Sequence, residues 1–155
     1  MIATAATTIP SELRDMGQWV SWRYEVRDGK RTKVPIDPHS GTRASTTDPS
    51  TWASFDEATA AAEDYGLAGV GFVFTGDDPY VGIDLDKCVD PVTEAVEPWA
   101  QAIVDYLDGY TELSPSRTGI HIIVKGQLPA GRKRLQHVEM YGEARFFCVT
   151  GRALT

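Results

Sequence analysis

Apolar residues recur along this chain at two periods, and the switches between them mark out its elements. Val81, Ile83 and Leu85 alternate with Gly82, Asp84 and Asp86, which is how a strand half-buried in a core reads. The same alternation sets Ile120, Ile122 and Val124 against His121 and Lys125, and it puts Glu139 and Tyr141 on one side of a short strand at 138–141. Residues 18–24 and 32–36, rich in strand formers and joined across Asp28-Gly29, predict a hairpin whose second strand carries Pro35 and so lies at an edge or near its end. Residues 69–74 predict a buried strand. Gly76-Asp77-Asp78-Pro79 then turns the chain into the Val81 strand, so an antiparallel hairpin of these two strands is expected. Residues 145–150, bounded by Gly151, form the last strand.

Helical periodicity appears in three places. Pro10-Ser11-Glu12-Leu13 opens a short helix ending near Gly17. Ser54 with Glu57 makes a capping box ahead of an alanine-rich helix that Gly66 stops. Residues 98–107 place Trp99, Ile103, Tyr106 and Leu107 on one apolar face, with Pro98 in the first turn. Residues 37–51 read as a long loop. A hairpin, a helix, then strands mixed with another helix is an α+β order built on a largely antiparallel mixed sheet with flanking helices.

Composition narrows the class. With 155 residues, 42% hydrophobic and 24% charged, the chain is expected to form one domain, 1–155, of ordinary soluble character. It has neither an apolar run of membrane-span length nor a signal-peptide layout at its start, so a cytoplasmic location is expected. Cys88 and Cys148 form no metal-binding spacing and are expected to be buried, reduced thiols. A net charge of −7 argues against binding nucleic acid over the whole surface. Local basic clusters at Lys30, Arg31 and Lys33 and at Arg132, Lys133 and Arg134 remain, apart from the acids around Asp77, Asp84, Asp86, Asp90 and Glu97.

Two stretches carry candidate chemistry. Asp84 and Asp86, roughly 6.5–7 Å apart along one strand face, are suited to gripping hard cations such as Mg²⁺ or Mn²⁺. Solvated acids on an edge strand, or a salt-bridged pair, would show the same pattern. The hydroxyl-rich loop Ser114-Pro115-Ser116-Arg117-Thr118-Gly119 enters the strand bearing His121 and Lys125, a setting that favours phosphate. A lone strand histidine is otherwise commonly structural.

Asp84-Leu85-Asp86, Gly119-Ile120-His121 and Glu139-Met140-Tyr141, in that order and spacing, resemble the three catalytic motifs of the archaeo-eukaryotic primase superfamily. The closer resemblance is to the primase-polymerase domains of phage and plasmid replication proteins. It rests on Trp19-Val20-Ser21-Trp22 and Lys33-Val34-Pro35 ahead of the DxD, the SPSRTGIH loop, and Arg145-Phe146-Phe147. It covers nearly the whole chain, and Arg117 departs from it where glycine is expected.

The resemblance implies a catalytic core made of an RRM-like unit plus an N-terminal α/β unit, working as a DNA primase and polymerase by a two-metal mechanism. Asp84, Asp86 and Glu139 would be the catalytic metal ligands. Ser114, Ser116, Arg117, Thr118, Gly119, His121, Lys125 and Arg145 would serve the phosphates of an incoming dNTP or NTP. Lys30, Arg31, Lys33, Arg132 and Lys133 would line a track for single-stranded template and primer in a bacterial host or phage-infected cell. Members of the group usually continue into a helical region and often a helicase, so the chain is expected to be the N-terminal part of a longer replication protein that primes poorly alone. Two alternatives stay open: a non-catalytic nucleic-acid-binding module, and a HAD-like phosphohydrolase using Asp84 as nucleophile.

Overall fold

The computed structural model describes residues 8–129 and 133–154. Among these the elements run α1 (Ser11–Arg14), β1 (Trp19–Arg27), β2 (Lys30–Ile36), α2 (Phe55–Asp64), β3 (Gly69–Phe74), β4 (Tyr80–Leu85), α3 (Pro98–Leu107), β5 (Tyr110–Leu113), β6 (Ile120–Lys125), β7 (Arg134–Leu135), β8 (Val138–Tyr141) and β9 (Arg145–Val149). The fold is α+β, and its strands are divided between two sheets of order β2-β1-β3-β9 and β5-β6-β4-β8-β7. Every neighbouring pair in both sheets is antiparallel. No helix of the described residues is long and apolar enough to cross a membrane.

The local signals produce the elements they predict. Ser54 accepts from the Glu57 amide while the Glu57 carboxylate takes the Ser54 amide, closing the capping box of α2. β2, with Pro35, lies at a sheet edge. Trp19 and Trp22 are both buried core residues despite pointing to opposite faces of β1.

The expected β3–β4 hairpin does not form. A strand has two edges, and those of β3 are taken by β1 and β9, while those of β4 are taken by β6 and β8. The turn between them is held instead by Asp78, which accepts from the amides of Thr75 and Tyr80 at 2.8 Å each and from Gln18 Nε2 at 2.9 Å. That clasp hands the chain from one sheet to the other.

As a result β4 is covered on both faces. Val81, Ile83 and Leu85 pack in a cluster with Ile120, Ile122 and Ala100 of α3. Tyr80 joins the larger cluster formed by Trp19, Phe72, Phe74, Phe147 and Ile123 with α2. Gly82 makes this approach possible, because a Cβ there would lie 2.6 Å from ring atoms of both Phe74 and Phe147. The Gly82-Asp84 face is therefore an inter-sheet face, open only towards Asp86. Cys88 and Cys148 are buried free thiols, their pKa values pushed up to about 11 and about 12, chiefly by burial.

Candidate active site

Five residues form one row across the second sheet. Glu112 of β5 pairs with His121 of β6, His121 with Asp84 of β4, Asp84 with Glu139 of β8, and Glu139 with Arg134 of β7. Residues directly opposite in a ladder project from the same face. The three motif residues are thus contiguous side by side, with Asp84 in the middle. The row also runs from dry to wet: Glu112 is 1% exposed and His121 6%, whereas Arg134 is fully at the surface.

His121 is held on three sides. Its ring stacks on Phe147, centroids 4.5 Å apart at an interplanar angle of 13°, and Nδ1 lies 2.9 Å from the Cys148 carbonyl. A carbonyl only accepts, so Nδ1 carries a hydrogen and, in the neutral ring, Nε2 presents a lone pair. Nε2 lies 3.7 Å from Asp84 Oδ1. Burial holds the His121 pKa below the ordinary histidine value, with Glu112 pulling the other way. The side of β6 that carries His121, opposite Ile120, Ile122 and Val124, faces the first sheet.

Asp84 is partly buried, and burial first, then the charge of Asp86, pushes its pKa up from 3.8 to about 6. Glu139 adds to the upward push, against Lys33 and Arg134. Glu139 is itself bracketed by cations, accepting from Arg134 Nη1 at 2.7 Å and Arg145 Nη2 at 2.8 Å. Asp86 is exposed just beyond the strand, its amide donating to the His137 carbonyl at 2.8 Å.

Two clefts meet at Asp84. One, of about 380 Å³, is lined by Lys33, Asp84, His121, Tyr141, Arg145 and Phe146, among others. The other, of about 240 Å³, contains Asp84, Asp86 and Glu139 together with Arg134, Tyr141 and Arg145. Each cleft carries two cations, Lys33 and Arg145 in the first and Arg134 and Arg145 in the second, while Asp86 and Glu139 belong to the second alone; Asp84, Tyr141 and Arg145 are shared.

No family model matches the chain. Over 140 residues, however, it is 41% identical to the DNA primase-polymerase of Nitratiruptor phage NrS-1, an alignment that takes in 86% of this chain. The chain is related to that primase-polymerase. It spans 19% of the phage primase-polymerase's length.

The residues singled out in the sequence are only partly brought together. Asp84, Asp86, Glu139, His121 and Arg145 gather at the two clefts, and Lys33, read from sequence as a template contact, joins them. Lys125 does not: it lies at the far end of β6, opposite Tyr80, and pairs with Glu12 at 3.1 Å. In the loop before β6 the hydroxyls of Ser114, Ser116 and Thr118 bond one another, and Arg117 reaches Glu94 at 3.3 Å. This loop packs by its Thr118 carbonyl on the amides of Cys88 and Val89, beside the end of β4, and it lines neither cleft. Gly119 is required there, since a Cβ would lie 2.8 Å from the Leu85 carbonyl. Arg117 has φ 66°, a left-handed conformation that glycine adopts more readily than a residue with a side chain.

Lys30 and Arg31 start β2 beside the hairpin turn, Arg31 stacked 3.7 Å over the Tyr24 ring. Lys133 lines a larger groove beside Arg134 and Tyr141, and Arg132 lies outside the described residues. Sequence reasoning missed Glu112, although Tyr110-Thr111-Glu112-Leu113 alternates like its partner strand. It named Arg134 only as one of a basic cluster.

The donor set suits a hard cation. Asp84, Asp86 and Glu139 offer only oxygens, and the repulsion from Asp86 and Glu139, which adds to burial in raising the Asp84 pKa, is what a bound cation relieves. Among the described residues no three of His, Cys, Asp and Glu already stand as a closed metal cage. Glu139 would exchange its arginine partners for the ion.

Proposed function

We propose that this row is the nucleotidyl-transfer centre of a DNA primase-polymerase, extending a primer on single-stranded template from dNTP or NTP. The observation that carries the reading is that Asp84 has Glu139 and His121 as its two register partners. The relationship to the phage primase-polymerase supports it. Asp84, Asp86 and Glu139 would hold Mg²⁺ or Mn²⁺, which supplies charge neutralisation at the attacking and leaving oxygens. Lys33, Arg145 and His121 would bind the nucleotide's phosphates in the first cleft, His121 with its ring orientation set by Phe147 and Cys148. The hydroxyl loop supports β4 rather than the phosphates. Lys30, Arg31, Lys133 and Arg132 remain the candidates for template contact, with a helicase region as a candidate partner.

The test is primer extension with Mg²⁺ or Mn²⁺ on wild type, Asp84→Asn, Asp86→Asn and Glu139→Gln, alongside DNA binding with and without EDTA. Metal-dependent extension that each substitution reduces at least a hundredfold, with DNA binding retained, is expected. The engagement of both Glu139 oxygens by arginines favours a second reading, a binding module without chemistry. DNA binding indifferent to EDTA, with no incorporation, would establish it. A phospho-aspartate on Asp84 would instead reveal a phosphohydrolase.

A further inference from the structure

Glu112 is a buried acid for which the proposed reaction has no use, and among the described residues nothing basic but His121 is paired with it. Oε1 accepts from the Tyr110 hydroxyl at 2.8 Å and from the Gly151 amide at 3.2 Å. Oε2 accepts from the Thr150 amide at 2.7 Å and lies 2.9 Å from Thr150 Oγ1. Oε2 also lies 3.9 Å from His121 Nδ1. A carboxylate placed in the interior costs several kcal/mol before its hydrogen bonds offset it, and the donors on both of its oxygens suit an acceptor-only group.

Its contacts have a common direction. The amides it binds belong to Thr150 and Gly151, immediately after Cys148 and Val149 of β9, and Cys148 supplies the carbonyl that takes the His121 Nδ1 hydrogen. β9 is the outer strand of its sheet, so this carbonyl is free to face the histidine. Glu112 therefore anchors the segment that orients the ring and, through its own negative charge, makes the Nδ1 side the place for the hydrogen.

We propose that Glu112 is a positioning residue for His121, holding the ring with its hydrogen on Nδ1 and Nε2 turned towards Asp84 and the cleft. This inference rests on the proposed function only for its kinetic consequence. The tautomer itself is observable without any reaction.

The experiment records the ring ¹⁵N resonances of His121 in wild type, Glu112→Gln and Thr150→Val at a pH where the ring is neutral, with thermal melts of each. Wild type should show the Nδ1–H form. Glu112→Gln should convert at least a tenth of the ring to the Nε2–H form, and Thr150→Val, which removes one hydroxyl, should shift it in the same direction by less. Where wild type extends primers, Glu112→Gln should raise the nucleotide KM about tenfold with kcat within about threefold, by analogy with outer-sphere partners of other site histidines. An Nε2–H ring in the wild type overturns the proposal with no variant needed. So does an unchanged tautomer in folded Glu112→Gln or, should that variant not fold, in Thr150→Val. A wild type that shows the Nδ1–H ring and the expected shifts but incorporates no nucleotide would sink the polymerase reading and leave the positioning role standing.

Discussion

Arg145 lies over the ring of Tyr141, its guanidinium carbon 4.1 Å from the ring centroid, and the same guanidinium holds Glu139. Tyr141 and Glu139 are two apart on β8, so one cation both stacks on and pairs with the same strand face. It faces both clefts from that position. The guanidinium is about half exposed, so the ion pair adds little to stability. Arg145→Ala should lower the unfolding free energy by less than about 1 kcal/mol while cutting primer extension about tenfold or more. Chemical denaturation and extension assays on one preparation separate the two effects.

Asp84 should behave as a site residue that the fold holds at a cost. Its folded pKa of about 6 lies above the ordinary 3.8, so the native state binds the proton more tightly than the unfolded chain does. That advantage is complete below about pH 4 and is lost as the pH rises through about 6. Asp84→Asn carries no such loss. It should be more stable than wild type by about 1–2 kcal/mol at pH 7.5, a full two-unit shift being discounted for partial exposure, and the gap should close by pH 4. Melting curves across that range provide the check.

His121 should not be silently removable. Its replacement by alanine empties a stacked, buried position against Phe147 and leaves the Cys148 carbonyl without its donor. A loss of about 2–3 kcal/mol is expected from urea titration. His121→Asn, which can still donate to that carbonyl, should recover part of it.

Gly82→Ala tests the approach of the two sheets. The new methyl meets Phe74 and Phe147, both buried and unable to swing aside, and should cost about 1–3 kcal/mol. A neutral result in denaturant unfolding would mean that the sheets are further apart than described.

The motif residues were legible because alternation along β4, β6 and β8 decides which side chains share a face, and the antiparallel register then brings those faces into one row. Alternation does not say what each face looks onto. His121 and Gly82 lie on the faces opposite the apolar residues, yet a second sheet covers them, because contact between distant strands such as β6 and β9 leaves no local mark. The β3–β4 turn misled for a related reason: Gly76-Asp77-Asp78-Pro79 is good turn chemistry, but only competition for strand edges decides whether the strands it joins pair. Glu112 escaped because an acid between Thr111 and Leu113 looks like a surface position until its four hydrogen bonds are seen.

The first sheet takes three strands from the beginning of the chain and its fourth, β9, from after the whole of the second sheet. Everything from β4 to β8 is thus looped out between two neighbours, β3 and β9, whose pairing sets Val70 against Val149. Pairing β9 with β3 closes a loop over all of that chain, a cost in conformational entropy that the contacts of β9 must offset. Both aspartates, the histidine and Glu139 all precede β9 in the chain, yet the Phe147 ring and the Cys148 carbonyl that hold the histidine come from that last strand alone.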